Sequence, residues 1–208
     1  MIKLIDVTPV IKTKAQAREL FTTGNNKLSK DIAIFNLPAT MEVCGRICKG
    51  CFAMKAQVLY PSVLPSREGK LTAAKQADFE QRAIESIAKL GSPYVRIHES
   101  GEFFSQEYVD SWATIAAASP NVQFLAYTKR LADWDFSALR GLPNVIVISS
   151  LFGKSINYSK DLSKKPAKAS LCPTAFDKTI GCLKGCDLCY NPKNKEQLET
   201  NGIFFKQH

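Results

Sequence analysis

Between residues 30 and 150 apolar runs alternate with amphipathic segments, and that alternation restricts the fold more than any other feature of the chain. Residues 32–37 are a compact apolar run stopped by Pro38, the pattern of a buried strand. Residues 93–98, 122–127 and 145–148 repeat it. Between them, residues 66–90 read as one long helix with Ala73, Ala77, Ile84 and Ile87 on one face and Gly91 just past its end. Residues 105–119 read as a second, with Val109, Trp112 and Ile115 at core spacing, and 136–139 as a brief third closed by Gly141. A short helix over 14–23, ending at Gly24, precedes them. Alternation of this kind implies right-handed crossovers and a parallel sheet. The expected fold class is therefore α/β, an incomplete parallel (β/α) barrel-like sheet. After Ser150 regular patterning fades, so 151–208 read as a Cys-rich, loop-rich C-terminal appendage with 203–205 as a closing strand. No low-complexity linker interrupts the chain, and residues 1–208 are expected to form a single domain, with 30–150 its α/β core.

Ligands of parallel sheets bind at the carboxyl ends of the strands. That rule gathers Cys44, Cys48 and Cys51 after the first strand, His98, Glu99 and Glu102 after the second, Lys129 and Arg130 after the third, and Ser149 and Ser150 after the fourth. Glu99 and Glu102 could position a substrate, or pair with Arg96 or Lys129. His98 could relay a proton or ligate, or serve as a hydrogen-bonded structural residue. Lys129 and Arg130 could contact a phosphate or carboxylate, or remain solvated. Trp112 is expected in the core and Trp134 beneath a loop, while Tyr127 could line the rim or pack inward.

The seven cysteines fall into two near-copies of C-x3-C-x2-C plus one residue: Cys44, Cys48 and Cys51, then Cys182, Cys186 and Cys189, with Cys172 ten residues before the second triad. Three ligands at one site and four at another suit one iron–sulfur cluster with an open position and one fully ligated cluster. The expected cofactors are thus one or two iron–sulfur clusters of the 4Fe-4S type. Zinc remains the alternative at the C-terminal site formed by Cys172, Cys182, Cys186 and Cys189. With only His98 and the terminal His208, histidine-based metal hydrolysis is not expected, and no Gly-rich phosphate loop, nucleophile elbow or Ser-His-Asp order is present.

The net charge is +9, and from Lys154 to Lys195 nine lysines face only three acids. Two readings stay open: a surface for nucleic acid, or a solvated loop whose lysines offset an anionic metal–thiolate centre. No apolar run reaches membrane-spanning length and the amino terminus lacks a signal peptide's apolar core, so the expectation is a cytoplasmic protein with no membrane association and reduced thiols.

The C-x3-C-x2-C loop after the first strand resembles that of the radical S-adenosylmethionine (SAM) superfamily, over roughly residues 30–150. That resemblance implies a radical-SAM-like enzyme that takes electrons from a donor, with SAM on the open iron. Ser100, Gly101 and Glu102 would hold its methionine end, and Lys129 and Arg130 would lie nearby. Gly50 and Phe103 depart from the superfamily pattern, which has an aromatic before its third cysteine and proline at the end of its turn. The rival reading is a non-catalytic cluster- or zinc-binding protein that engages nucleic acid or a host partner. Most of the chain resembles the "gene product 88" family of phage proteins. The likeness rests on the C-x3-C-x2-C-Phe-Ala run at 44–53, the Arg-Ile-His-Glu-Ser-Gly-Glu-Phe-Phe segment at 96–104, the Ala-Tyr-Thr-Lys of 126–129, and Cys172-Pro173. It implies a phage origin, hence the host cytoplasm, and no particular activity.

Overall fold

A computed structural model describes residues 10–45, 48, 51–152, 155–156, 158–159, 161–173, 177 and 179–206. The first elements in chain order are α1 (Lys14–Leu20), β1 (Thr22–Thr23), β2 (Ile32–Phe35), α2 (Met41–Cys44), α3 (Phe52–Leu59), α4 (Val63–Ala74) and α5 (Phe79–Leu90). There follow β3 (Tyr94–Ile97), α6 (Gln106–Ala117), β4 (Gln123–Thr128), α7 (Ser137–Arg140) and β5 (Val145–Ser149). The five strands form one sheet in the order β1-β2-β3-β4-β5, parallel from β2 to β5, with β1 antiparallel at the edge beside β2. The α/β expectation holds: the sheet is an open one consistent with an incomplete parallel barrel. Its C-terminal region is rich in cysteines and loops.

Two element boundaries differ from expectation. The helix expected over 14–23 stops at Leu20, and its last residues become β1, paired with β2. The single helix expected over 66–90 is two, because the chain turns between Lys75 and Asp78 and leaves Ala77 exposed. The turn swings Phe79 inward, where its ring meets Phe35 at 5.5 Å and Trp112 at 5.9 Å between centroids. The helix α3 was not expected at all. Of its residues only Ala53 is buried, whereas Phe52, Val58 and Leu59 are exposed, so no core-facing stripe announces it.

Because side chains alternate along a strand, each parallel strand feeds two cores. Ala33, Phe35, Val95, Ile97, Phe124, Ala126, Val145 and Val147 face the helices and join Phe21, Phe79, Tyr108 and Trp112. Ile32, Ile34, Leu125, Ile146 and Ile148 face the opposite way and pack under the C-terminal region, against Cys172, Cys189, Tyr190, Leu198 and Ile203. That region contains β6 (Leu151–Phe152), β7 (Ser155–Ile156), β8 (Tyr158–Ser159), β9 (Ser170–Leu171), β10 (Gly181–Cys182), β11 (Gly185–Cys186), α8 (Lys195–Asn201) and β12 (Ile203–Lys206). The strand expected at 203–205 exists, but it pairs with β8 and β9 in a separate three-stranded sheet and does not close the main one. The edge strand β5 is blunted by α8: Glu199 on that helix accepts from the Val147 N–H at 2.9 Å.

Two consequences can be measured. Trp112 is fully buried among aromatic rings, so Trp112→Ala should cost about 3–5 kcal/mol of unfolding free energy in denaturant titration. A loss below about 1 kcal/mol would contradict this packing. Burial, with Arg96 nearby, lowers the pKa of His98 to about 3. The unfolded chain therefore takes up that proton first, and stability falls as pH drops from about 6.5 towards about 3, by up to about 1.4 kcal/mol per pH unit. His98→Asn should flatten that part of the stability–pH curve. Parallel curves for the two proteins would refute the assignment.

Candidate binding site at the carboxyl edge of the sheet

The site begins with the way β2 and β3 end. The His98 N–H continues the ladder by donating to Phe35 O at 3.0 Å, and His98 then adopts φ 61°, a left-handed conformation that non-glycine residues seldom take. The chain reverses and brings the Glu99 and Ser100 N–H groups onto Asn36 Oδ1, at 2.7 and 3.0 Å. Ser100 Oγ donates to Leu37 O at 2.8 Å, and Leu37 N donates to Ser100 O at 2.9 Å. Gly101 follows at φ 86°, pressed so close to Leu37 that an added Cβ would lie 2.5 Å from the leucine Cβ. Only glycine fits that place.

The turn delivers Glu102 into the rim. Its carboxylate is 6 % exposed and accepts from Thr128 Oγ1 at 2.7 Å and from the Lys129 N–H at 2.9 Å, both at the carboxyl end of β4. Burial raises its pKa above the usual carboxylate value, against the opposing pull of those hydrogen bonds and of the Lys129 ammonium. Glu99 is fixed from the other side by Asn25 Nδ2, at 3.1 and 3.0 Å from its two oxygens. One pocket then holds Glu99, Ser100, Gly101, Glu102 and Lys129 together with Cys44, Cys48 and Cys51, and is completed by Ala39, Phe52 and Ala53. Its cavity volume is about 80 Å³, room for a compact head group and far below a drug-sized cleft.

The remaining candidates lie outside this pocket. His98 is buried behind the turn, its Nε2 2.9 Å from the Tyr108 hydroxyl and its ring stacked on the tyrosine. Arg130 braces the cysteine loop: Nη1 donates to Cys44 O at 3.0 Å and Nε pairs with Asp133 at 2.9 Å. Tyr127 packs inward, with Arg96 4.0 Å above its ring. Of the other residues singled out, Trp134 donates to Phe103 O at 3.0 Å, and Ser149 Oγ donates to Leu151 O at 2.7 Å. His208 and Gly50 lie outside the described residues.

Sequence reasoning missed the residues that hold the site. Asn25, Asn36 and Thr128 are polar residues in or beside strands, where only tertiary contacts reveal their partners. Arg67 on α4 donates to Ala53 O at 3.0 Å and Gln57 Oε1 at 2.9 Å, its guanidinium near enough to feel Glu99 and Cys51. One turn on, Lys70 is 3 % exposed, and burial together with Arg67 pushes it down to about 8.

The cysteines correct the cofactor expectation. Cys44, Cys48 and Cys51 share the rim pocket, while Cys172, Cys182, Cys186 and Cys189 line a second pocket under the C-terminal region. Yet among the described residues no group of three or more His, Cys, Asp or Glu side chains is placed to hold a metal ion. Chain spacing says how many thiols a loop can offer; it does not make them converge on one point. The cysteines instead form part of the pocket walls. Burial raises Cys44 to about 11 and Cys189 to about 12, where Tyr127 donates to the Cys189 sulfur at 3.1 Å. The 4Fe-4S clusters and the zinc alternative are therefore withdrawn as readings of these residues. SAM and the radical-SAM-like activity, which depended on the cluster, go with them, and so does the metal-dependent form of the binding-protein rival.

The basic segment is also partly accounted for. Lys165 Nζ donates to three backbone carbonyls, of Pro166, Ala167 and Ala169, and Lys184 Nζ to Asn25 O at 2.9 Å. Lys195 is bound to Val145 O and Glu199. Lys164, Lys168 and Lys193 are exposed, and Lys154, Lys160 and Lys178 lie outside the described residues. Among the described residues no helix is long and apolar enough to cross a membrane.

No solved structure matches the chain significantly. The Gene 88 protein of Mycobacterium phage D29 is 28% identical over 200 residues, covering 80% of this chain and 82% of that protein. The Gene 88 protein of Mycobacterium phage L5 is 26% identical over 152 residues, which span 69% of this chain and only 64% of the phage L5 protein. The profile described as Gene product 88 matches residues 13–179. That span takes in the parallel sheet and the whole Ser100–Glu102 turn, and on it the chain belongs to the gene product 88 family of phage proteins.

Proposed function

We propose that the protein binds a small molecule through a positively charged ammonium group at the carboxyl edge of its sheet. The observation that carries this reading is the buried Glu102 carboxylate, held by Thr128 and the Lys129 N–H in a pocket shared with Glu99 and three thiols. A buried carboxylate with a raised pKa is a group that gains from a second cation, because the cation offsets the burial cost that raised it. Lys129 supplies one cation at the same wall. It can also meet an anionic group of the same ligand, which favours a zwitterion or an ammonium compound with an acceptor nearby. Strain at His98 and the close fit at Gly101 fit a site held ready before its ligand arrives. The phage relatives support the host cytoplasm as the place of action.

A polyanion partner for the 154–195 segment has weaker support. Lys165, Lys184 and Lys195 are spent on backbone carbonyls or on Glu199.

The test is calorimetric titration of the whole protein with a panel of small primary ammonium compounds, L-alanine and L-alaninamide among them, beside their N-acetyl counterparts, which lack the ammonium group. Ammonium members should bind and acetylated ones should not. Glu102→Gln should weaken binding by about tenfold or more, the worth of one charge-assisted hydrogen bond. Equal binding of ammonium and acetylated members, or preference for simple carboxylates, would contradict the proposal.

A further inference from the structure

We propose that Cys48 and Cys51 form a redox-active dithiol that exchanges with small disulfides. Cys51 N donates to Cys48 O at 3.1 Å, a hydrogen-bonded turn that brings the two Cα atoms within about 7 Å, the separation a disulfide spans without backbone movement. Both cysteines are partly exposed and both are free thiols, so a second molecule can reach them. Cys51 is the N-cap of α3, an eight-residue helix. Arg67 adds a fixed positive charge: hydrogen bonds to Ala53 O and Gln57 Oε1 anchor it, and its guanidinium feels the charge of Cys51.

The third thiol of the rim lacks these advantages. Cys44 is the last residue of α2, at the end of a helix that disfavours negative charge, and it faces Glu102. The roles divide accordingly. The Cys51 thiolate attacks one sulfur of a disulfide RSSR, forming a Cys51–SR mixed disulfide and releasing RS⁻. Cys48, losing its proton, then attacks the Cys51 sulfur, closes the Cys48–Cys51 bond and releases the second thiolate. In sum, two protein thiols and one RSSR give one protein disulfide and two RSH, so the protein is oxidised by two electrons and the small disulfide is reduced. This inference does not depend on the ammonium site, because the exchange needs only the two thiols and a small disulfide.

The experiment equilibrates the native full-length protein in buffers spanning ratios of reduced to oxidised glutathione. Acid quenching, alkylation and peptide mapping by mass spectrometry follow. Two thiols should disappear together, and the new bond should map to Cys48–Cys51. Cys48→Ser should instead accumulate glutathione on Cys51, because the resolving thiol is gone. In Cys51→Ser, modification of Cys48 should be roughly tenfold slower than that of Cys51 in Cys48→Ser. Cys182 and Cys186 are directly paired across β10 and β11 and are the obvious competing couple, so Cys186→Ser should leave the result unchanged. Retention of all seven thiols at a large excess of oxidised glutathione would overturn the proposal. So would a bond mapped to Cys182–Cys186, or one involving Cys44. These readings come from the wild-type protein and stand even if a variant misfolds.

Discussion

The Asn36 side-chain carbonyl fixes how β2 and β3 end, and the rim depends on it. One oxygen accepts two backbone N–H groups, of Glu99 and Ser100, at the point where the β-ladder stops supplying partners. Without it those donors would be part-buried and unmatched, at about 1–3 kcal/mol each. With it the chain can bear a left-handed His98, itself a cost of order 1–3 kcal/mol, and reverse sharply enough for Gly101 to touch Leu37. Glu102 then points at the end of β4, where Thr128 and the Lys129 N–H receive it. Ends of β2, β3 and β4 are thereby locked into one geometry.

Charge buried at this end of the molecule is handled by arrangement more than by ion pairing. Arg96 rests on the Tyr127 ring and donates to His98 O. Arg67 is held by a backbone carbonyl and an amide, and Lys70 sits one turn away, lowered by burial. Glu102 is held by a hydroxyl and a backbone N–H. Contacts of this kind hold charged groups in place without neutralising them, which leaves the rim able to respond to a charged visitor. The opposite face of the sheet packs against Leu198, Ile203 and Tyr190, and it is on that side that Arg96 meets Tyr127 and Tyr190.

The sheet was legible because four apolar runs of strand length carry their own signal, and because the rule for parallel sheets then collected Glu99, Glu102, Lys129 and the first cysteine triad at one edge. Cluster chemistry was misread for a definite reason: spacing along a loop counts thiols, while a metal site needs their convergence in space, and no three acidic, thiol or imidazole groups among the described residues achieve it. The split of 66–90 was hidden because Ala77 continues the apolar helical pattern and no Gly or Pro marks the turn between Ala74 and Phe79. Helix α8 escaped notice in a lysine-rich stretch, since Leu198 is its sole buried residue. Asn36 and Thr128 carry no sequence signal, for their meaning lies in partners 63 and 26 residues away.

The central claim is that a buried, strained turn holds Glu102 ready for a cationic ligand, and the carboxyl group itself can report on it. A carbon-13 NMR titration of the Glu102 side chain, assigned by comparison with Glu102→Gln, measures its pKa directly. Its pKa should lie above the ordinary glutamate range in the free protein, from burial, and shift down when L-alaninamide is added. A Glu102 that titrates at the ordinary value and ignores the ammonium compound would contradict that claim.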